Sequence, residues 1–464
     1  MVDYKIVNTI PRNIFRAYDI RGIVDETFTK DNVYTIGLAI GNAVLKCDKN
    51  IVVVGRDGRI SGPILLQALI AGVLASGCNV ANIDEATTPM LYYAAAIMES
   101  KSGIILSGSH NPSNYNGIKI VIDGDTLHGN AIQRLYQEII QQNFKVGNGY
   151  IENINVLDDY LVRIANDIKL AKPLKVIIDC GNGVGGLVAP KLFRMLGCEV
   201  IELYCEVDGN FPHHHPDPSV HKNLEDLIVE VKKQQADIGF AFDGDADRVG
   251  VVTDKGEIIN ADRLLMLFAI DFLSRHPGMT ILFDVKCTRN LASQIVKHGG
   301  IPLMYKTGHS IIKAKMRELN TLLAGEFSGH IFIKERWFGF DDGIYVAARL
   351  LEILTRDNIS CSKIFAKLPN SISTSELKIP ITEEQKSRFM EKFISEAKFQ
   401  NGKINTIDGL RVDYNNGFGL IRSSNTSPYL IMRFEGDTLI DLVHIQNIFK
   451  QELLRLEPKL QLPI

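Results

Sequence analysis

Short runs rich in valine and isoleucine alternate along this chain with longer amphipathic segments, and that order of elements leaves few possible folds. Strands are predicted at Ile51–Val54, Gly103–Leu106, Leu174–Ile178, Ile238–Phe242, Met279–Phe283 and Leu322–Ala324. Helices are predicted at Pro63–Ala75, Leu187–Leu196, Asn223–Gln234, Arg263–Leu273 and Asp342–Thr355. This alternation is typical of mixed α/β domains, in which crossover helices connect parallel strands.

A strand, a polar loop and a helix follow one another three times, with the loops at Gly55–Arg59, Asp179–Gly186 and Asp284–Arg289. At 464 residues the chain is long enough for roughly three or four domains, because about 150 residues per domain is usual. We therefore predict three consecutive mixed α/β domains, at 1–155, 156–257 and 258–368, with a site in a central cleft.

From about residue 369 onward the pattern changes. Ser371–Ile379 alternates polar and apolar residues as a half-exposed strand does, and Glu383–Ala397 and Thr438–Leu456 are predicted helices. Strands between Arg411 and Phe434 are expected to be interrupted at Gly417, Gly419 and Pro428. We predict a smaller α+β C-terminal domain at 369–464.

The composition argues against several classes of protein. A formal net charge of −3 and a pI of about 6.4 supply no overall positive field of the kind that nucleic-acid-binding proteins use. The seven cysteines are scattered, and no two form a Cys-x-x-Cys pair, which indicates a reducing compartment. We find neither a signal peptide nor an apolar run of about 18 residues. We therefore expect a cytoplasmic monomer with no nucleic-acid or membrane partner.

The segment 240–248 places Asp243, Asp245 and Asp247 at alternate positions directly after an apolar strand. The two-residue period of an extended chain lets the three carboxylates converge on one side. Hard oxygen ligands of this kind suit Mg²⁺. In an acidic surface turn the like charges would repel one another, and a calcium-binding EF-hand loop would need glycine where Arg248 stands.

A second informative segment, 103–112, ends a strand in small residues and presents the Ser109 hydroxyl on a tight loop. Such a hydroxyl can act as a nucleophile, but Ser109 could equally be a turn residue before Asn111 and Pro112. A serine hydrolase is less favoured, because the chain has no Gly-x-Ser-x-Gly elbow around this serine. We also expect that the adjacent His110 cannot easily turn back onto the Ser109 hydroxyl.

The segment 211–219 contains three consecutive histidines, His213, His214 and His215, with prolines on both sides. Consecutive residues cannot readily converge on one metal ion, and the prolines favour a stiff, extended conformation. We interpret this segment as a surface loop.

Four motifs occur in the order, and near the spacing, of the α-D-phosphohexomutase family, which the chain resembles over essentially its whole length. They are Ser109-His110-Asn111-Pro112, Asp243-Gly-Asp245-Ala-Asp247-Arg248, Gly325-Glu326-Phe-Ser328-Gly-His330 and Arg422-Ser-Ser424-Asn425-Thr426. The last motif is most similar to the bacterial phosphomannomutase/phosphoglucomutase branch.

The resemblance implies that Ser109 carries a phosphoryl group and that the three aspartates hold Mg²⁺ together with an oxygen of that phosphate. It also implies catalytic roles for His110, Lys119 and Arg21, the last two stabilising developing charge or shuttling protons. Contacts to the sugar phosphate are implied for Tyr18, Arg248, Lys286, His309, Glu326, Ser328 and His330. A distal phosphate would be bound by Arg422, Ser424, Asn425, Thr426 and Arg433.

The implied activity is reversible phosphoryl transfer between the 1- and 6-positions of mannose and glucose phosphates. It would pass through the phosphoserine and a hexose 1,6-bisphosphate intermediate, with glucose 1,6-bisphosphate as activator. Alternatives are a phosphoglucosamine mutase, a metal-dependent phosphatase and a non-catalytic sugar-phosphate-binding protein. One departure from the commonest family pattern is Ser107-Gly108 in place of Thr-Ala, a change among small residues that bears on the fine sugar preference.

Overall fold

The computed structural model describes residues 4–425 and 427–464, which form two compact units. The first unit contains the chain up to Ala261, together with His309–Leu322 and Ser328–Phe365. The second unit contains Asp262–Gly308, Leu323–Phe327 and Ala366–Ile464.

A seven-stranded mixed sheet forms the amino-terminal part of the first unit. Its strands are Ile20–Ile23, Ile51–Arg56, Asn79–Glu85, Gly103–Leu106, Tyr115–Ile122, Asp125–Thr126 and Ile151–Asn153. The accompanying helices are Lys30–Leu45, Gly62–Ala75, Thr88–Ile97 and Asn130–Ile140. The strand Gly103–Leu106 pairs in parallel with Ile51–Arg56 and antiparallel with Tyr115–Ile122. Valines, leucines and isoleucines from the helices and the sheet share one buried core.

A five-stranded mixed sheet follows in the same unit. Its strands are Lys175–Asp179, Glu199–Leu203, Ile238–Phe242, Val249–Thr253 and Ile258–Ile259. The helices Leu157–Asp167, Ala189–Met195 and Glu225–Gln234 accompany it. The hairpin between Ile238–Phe242 and its antiparallel partner Val249–Thr253 carries the three aspartates. Other elements that lie mostly in this unit are the strand Ile331–Ile333 and the helices His309–Leu319, Gly343–Arg356 and Cys361–Ala366. Short 3-10 helices occur at Arg12–Ile14, Val184–Leu187 and His221–Leu224.

The second unit combines a parallel and an antiparallel part. Its parallel strands are Thr280–Asp284, Ile301–Tyr305 and Leu323–Gly325, with the helices Ala261–Arg275 and Arg289–Lys297. Its antiparallel strands are Ile372–Ser373, Leu377–Pro380, Lys403–Asn405, Leu410–Tyr414, Gly417–Ser423 and Tyr429–Gly436. The helices Glu383–Glu396 and Leu439–Leu456 contribute apolar residues to the core of this sheet.

The predicted fold class is confirmed, and the clearest predicted strands and helices occur with their ends shifted by a few residues. The single strand expected at Ser371–Ile379 is wrong. Two short strands occur there, at Ile372–Ser373 and Leu377–Pro380, because their pairing with the strand Tyr429–Gly436 shifts by one residue between Ser373 and Leu377.

The interruption expected at Gly419 is also wrong, since Gly417–Ser423 is one continuous strand. A Cβ at Gly419 would lie 2.3 Å from the ring of Phe449 on the last helix. The glycine therefore allows the helix to pack closely on the sheet. Within residues 4–425 and 427–464, no helix is both long enough and apolar enough to cross a bilayer.

Candidate active site

Two loops meet where two strands of the first unit end. One follows Gly103–Leu106 and carries Ser109; the other follows Ile238–Phe242 and carries the three aspartates. In α/β proteins, ligands commonly bind at the carboxyl ends of the strands, where these two loops lie. The loops approach so closely that a Cβ on Gly244 would lie 2.4 Å from the carbonyl oxygen of Ser109. Ser109 itself has a φ of 47°, a left-handed conformation that is uncommon for serine and often found at functional sites.

The Ser109 side chain is 4% exposed and lies among polar partners. Its hydroxyl donates to Oδ2 of Asp243 at 2.7 Å, and its amide donates to the Ser107 hydroxyl at 2.9 Å. Nδ1 of His110 lies 3.3 Å from the Ser109 hydroxyl, so the expectation that His110 cannot easily turn back onto this hydroxyl is wrong. The left-handed backbone at Ser109 accompanies this approach.

A network of donors fixes Asp245. Its Oδ2 accepts hydrogen bonds from Lys119 at 2.6 Å, Thr88 at 2.5 Å and Ser107 at 3.0 Å. Lys119 lies on the strand Tyr115–Ile122 and donates equally, at 2.6 Å, to Oδ2 of Asp247. The serine loop and the aspartate loop are therefore bound together by side chains as well as by close packing.

The three aspartates can hold a metal ion. All are fully buried, and one ligand oxygen from each lies within 4.8 Å of the others. Oδ1 of Asp245 and Oδ1 of Asp247 accept no hydrogen bond from the described part of the chain. Buried carboxylate oxygens without a donor are costly, and a hard divalent cation would satisfy them. The predicted convergence of the three carboxylates is thus present.

The surroundings separate the pKa values of these carboxyl groups. Burial raises the pKa of Asp243 to about 7, with Arg248 opposing the shift and Asp247 adding to it. Burial acts on Asp245 in the same direction, but Lys119 and the hydroxyl donors hold the pKa of Asp245 below its ordinary value. A proton therefore competes with a metal ion more strongly at Asp243 than at Asp245.

Two arginines with predicted roles in the site, Arg21 and Arg248, contact the serine and aspartate loops. Arg21 donates to Asn111 and to Asp19, both at 2.5 Å. Arg248 donates to Oδ2 of Asp243 from Nε at 3.2 Å and from Nη2 at 3.1 Å. Both guanidinium groups are at most 6% exposed, so they contribute a positive field to a largely desolvated site.

The segment 211–219 is not a simple surface loop, and this interpretation is corrected. Nη1 of Arg248 lies 3.3 Å from Oδ1 of Asp217, and the His215 ring contacts the carbonyl oxygen of His110. Nε2 of His214 lies 3.0 Å from Asp179. The segment therefore contacts both the serine loop, at His110, and the aspartate loop, at Arg248.

The predicted residues His309 and His330 lie face to face in the first unit, with ring centroids 5.4 Å apart. The Tyr18 ring meets His309 edge-on at 5.4 Å. Nδ1 of His330 lies 2.9 Å from Oδ2 of Asp341, and the helix residue Lys313 donates to Oδ1 of Asp341 at 2.8 Å. Ser328 belongs to the same segment as His330 and is half-buried.

Glu326, which is predicted to contact the sugar, lies in the second unit and is 2% exposed. Its Oε1 accepts a hydrogen bond from the Gly308 amide at 2.5 Å. Lys286 donates to Glu376 at 2.9 Å and lies 3.7 Å from Asp284. Burial lowers the pKa of Lys286, but these neighbouring carboxylates outweigh it and hold the pKa above the usual value.

The predicted phosphate loop also lies in the second unit. Arg422 donates to Asp408 at 2.9 Å, and Nδ2 of Asn425 donates weakly to the Thr307 carbonyl at 3.4 Å. The Ser424 hydroxyl lies 2.9 Å from that of Ser427. Thr426 lies outside the described residues.

Arg433, on the strand Tyr429–Gly436, is buried like Arg422 and is only 1% exposed. Its guanidinium carbon lies 3.9 Å from the centre of the Phe327 ring, and its Nη1 donates to the carbonyl of Lys286.

Sequence reasoning missed several residues that hold this site together. Thr88, Ser107 and Asp217 bond to the predicted ligands or their neighbours, and Arg59 donates to the carbonyls of Ser109 and Asn111. Arg59 lies in one of the polar loops that follow predicted strands, so its position was a signal. Thr88 had none, because an ordinary helix start explains it.

Comparison with known proteins identifies the family. Residues 12–146, 149–256 and 260–372 match alpha/beta/alpha domains I, II and III of phosphoglucomutase/phosphomannomutase, and residues 376–446 match its C-terminal domain. The predicted boundaries at 155, 257 and 368 remain predictions.

Relatives with assigned names agree over almost the full length. The chain is 56% identical to a phosphomannomutase/phosphoglucomutase of Pseudomonas putida, covering 98% of each chain. It is 51% identical to a phosphoglucomutase of Neisseria gonorrhoeae, covering 95% of this chain and 97% of the relative. The crystal structure of a phosphoglucomutase/phosphomannomutase family protein from Burkholderia thailandensis superposes with a TM-score of 0.94 at 48% identity, covering 98% of this chain and 100% of that one. The chain is thus an enzyme that belongs to the phosphoglucomutase/phosphomannomutase family.

Proposed function

We propose that this enzyme transfers a phosphoryl group reversibly between the 1- and 6-positions of mannose and glucose phosphates. The transfer passes through phosphorylated Ser109 and a hexose 1,6-bisphosphate intermediate. The observation that carries the proposal is the direct hydrogen bond from the Ser109 hydroxyl to Asp243, within a buried trio of carboxylates. Two oxygens of this trio have no hydrogen-bond partner among the described residues.

In this proposal Asp243, Asp245 and Asp247 hold Mg²⁺, which would neutralise charge on the phosphoserine. Lys119, Arg21 and His110 surround the reacting group, the first two as charge-stabilising or proton-shuttling residues. Burial lowers the pKa of Lys119, but Asp245 and Asp247 outweigh it and hold that pKa well above the usual value. Lys119 therefore stays charged while both carboxylates are ionised, which suits charge stabilisation better than proton removal.

The remaining predicted residues are assigned to substrate recognition. Glu326 would accept hydrogen bonds from two neighbouring sugar hydroxyls, as a carboxylate can. Other contacts to the sugar phosphate are assigned to Tyr18, Arg248, Lys286, His309, Ser328 and His330. The loop at Arg422, Ser424, Asn425 and Thr426, supported by Arg433, would bind the phosphate that is not reacting. Glucose 1,6-bisphosphate would act as activator by phosphorylating Ser109.

The proposal is tested by labelling the enzyme with glucose 1,6-bisphosphate that carries radioactive phosphate. Wild type and a Ser293→Ala control, which removes an exposed helix hydroxyl, should incorporate one phosphate per chain. Ser109→Ala should incorporate none and lose nearly all turnover of mannose 1-phosphate and glucose 1-phosphate. Equal labelling of Ser109→Ala would disprove the assignment.

Measurements of phosphate release and of turnover separate the alternatives. A mutase must keep water away from the phosphoserine, whereas a phosphatase must admit it, so steady release of inorganic phosphate from mannose 1-phosphate would favour a phosphatase. Faster turnover of glucosamine 1-phosphate than of either hexose phosphate would favour a phosphoglucosamine mutase. An unphosphorylated enzyme that binds but never turns over the sugar phosphates would be a binding protein.

A further inference from the structure

One buried arginine binds most of the loop that carries Ser109. Arg59 follows the strand Ile51–Arg56 and is 1% exposed. A guanidinium group has five N–H donors, and in Arg59 each of them has an acceptor. One acceptor is Oδ2 of Asp57, 3.2 Å from Nε. The others are backbone carbonyl oxygens at 2.6–2.9 Å, those of Ser109, Asn111, Pro112 and Tyr115.

Asp57 and Gly108 complete this attachment at the residue before the serine. Oδ2 of Asp57 also accepts a hydrogen bond from the Gly108 amide at 2.9 Å. The guanidinium packs directly on the α-carbon of Gly108, since a Cβ there would lie 2.2 Å from Nε of Arg59. The centre of the Phe211 ring lies 5.3 Å from Cζ of Arg59. The position of Arg59 therefore depends on glycine at 108.

The backbone of Ser109 needs such support. Its φ of 47° is a left-handed conformation, which costs free energy in a serine and persists only where the surroundings enforce it. The Ser109 carbonyl oxygen accepts from Nη2 of Arg59 at 2.8 Å, and the same oxygen packs against Gly244 of the aspartate loop. With the carbonyl held in this way, the hydroxyl of the same residue lies 2.7 Å from Asp243.

We propose that Arg59 is a positioning residue for Ser109, which it holds in the left-handed conformation with the hydroxyl against Asp243. Arg59 would thereby set the rate at which Ser109 accepts a phosphoryl group. This inference rests on the proposed function. In the transfer from the bisphosphate, the bond from phosphorus to the sugar oxygen breaks and a bond to Oγ of Ser109 forms. The hydroxyl proton of Ser109 ends on the sugar oxygen.

The role of Arg59 is geometric, because its five donors are occupied by the loop and by Asp57. Arg59→Lys keeps the positive charge but replaces the planar fork by one nitrogen, which cannot reach the same set of carbonyls. The plainer alternative is that Arg59 only stabilises the fold. In that case the variant would melt at a lower temperature and still transfer phosphate at the wild-type rate.

The first test measures single-turnover labelling of dephosphorylated enzyme with radioactive glucose 1,6-bisphosphate. A misplacement of about 1 Å can cost roughly a hundredfold in rate, so labelling of Arg59→Lys should be roughly tenfold to hundredfold slower than that of wild type. The half-saturating concentration of bisphosphate should stay nearly unchanged. Arg349→Lys is the control, because Arg349 is also 1% exposed but bonds to Glu335 and Tyr345. Equal labelling rates in Arg59→Lys and wild type would overturn the proposal.

Hydrogen exchange gives a second readout that does not depend on the proposed function. The amides of Gly108, Asn111 and Tyr115 are hydrogen-bonded, so they should exchange slowly in the resting wild type. In Arg59→Lys, peptides covering residues 107–116 should exchange faster, and in Arg349→Lys they should not. If wild type takes up no phosphate, the proposed function fails and exchange alone decides whether Arg59 holds the loop. Unchanged exchange in Arg59→Lys would overturn the proposal even if labelling is slow.

Gly108→Ala tests the same contact from the other side. The added Cβ must displace the guanidinium, so this variant should also label slowly. If both changes act through one lost contact, the double variant should be no slower than the slower single variant. Effects that multiply would show independent causes and would overturn the proposal. Circular dichroism checks folding, and if Arg59→Lys does not fold, a wild-type labelling rate in Gly108→Ala is the overturning result.

Discussion

The hydroxyl of Ser109 donates a hydrogen bond of 2.7 Å to Oδ2 of Asp243, although the two residues are 134 positions apart in the chain. The candidate phosphoryl carrier and a candidate metal ligand are thus in direct contact. A change in the charge of Asp243 should therefore affect both metal binding and the Ser109 hydroxyl.

Metal binding should depend on pH through Asp243. Its pKa of about 7 in the metal-free protein means that a proton occupies the carboxyl at lower pH and must leave when Mg²⁺ binds. We expect Mg²⁺ affinity to fall up to about tenfold per pH unit below pH 7. Calorimetric titrations from pH 5.5 to 8.5 measure this slope. Asp243→Asn should bind Mg²⁺ more weakly and without this slope; an equal slope in the variant would contradict the assignment.

Thr88 should act as a positioning residue for Asp245. Thr88→Val keeps the shape but removes the hydroxyl that donates to Oδ2 at 2.5 Å. A hydrogen bond to a charged group contributes about 1.5–3 kcal/mol, so we expect a roughly tenfold to hundredfold rise in the Mg²⁺ concentration for half-maximal activity. Thr355→Val removes a similarly buried hydroxyl from a helix and serves as control. An unchanged Mg²⁺ requirement in Thr88→Val would rule out this role.

The close approach of the two loops predicts that no side chain is tolerated at Gly244. A Cβ there would lie 2.4 Å from the Ser109 carbonyl oxygen, which is backbone and cannot rotate away. We expect Gly244→Ala to lose about 1–3 kcal/mol of stability and most of its activity. At Gly185 a Cβ would meet Ala246 at an ordinary 3.4 Å, so Gly185→Ala should be nearly neutral. Thermal melting and turnover of both variants check the difference.

Asp342 should make the enzyme less stable as the pH rises. It caps the helix Gly343–Arg356 and accepts a hydrogen bond from Tyr160 at 2.7 Å, and burial raises the pKa of Asp342 to about 7. Because this pKa exceeds the unfolded value of about 3.9, the native state binds more protons than the unfolded state between about pH 4 and 7.

Stability contributed by protonated Asp342 is therefore complete below about pH 4 and declines as the pH rises to 7, by about 4 kcal/mol at most. Asp342→Asn keeps a capping side chain but cannot ionise. In urea unfolding at pH 5 and pH 8, the variant should lose less stability between the two pH values than wild type does. An identical loss in both proteins would show that Asp342 does not titrate in this range.

Arg422 should hold the phosphate that is not reacting. It is oriented by its ion pair with Asp408 at 2.9 Å. Losing one charge-assisted contact costs about 1.5–3 kcal/mol, so Arg422→Ala should raise KM roughly tenfold to hundredfold. Early escape of the bisphosphate would also make the variant depend more on added glucose 1,6-bisphosphate. Arg388→Ala, an exposed position on a helix of the same domain, is the control, and unchanged kinetics in Arg422→Ala would show that the phosphate is bound elsewhere.

Much of the fold and the metal ligands could be predicted because their signals are local. The apolar run Ile238–Phe242 predicts a buried strand, and the alternate spacing from Asp243 predicts convergence. Partners that come from other parts of the chain gave no such signal. Thr88 reaches Asp245 across 157 positions, and Asp217 reaches Arg248 across 31, so only the folded structure brings them together.

The separation of Ser109 and Asp243 along the chain has a consequence for biosynthesis. The seven-stranded sheet uses residues 20–153 only, and the five-stranded sheet uses residues 175–259, so each can form as its segment leaves the ribosome. At translation rates of about 5–20 residues per second, Asp243 is made roughly 7–27 seconds after Ser109, because the two residues are 134 positions apart. A nascent chain therefore carries its serine for some time before it has the carboxylate that the serine contacts, and chains released before residue 243 should be inert.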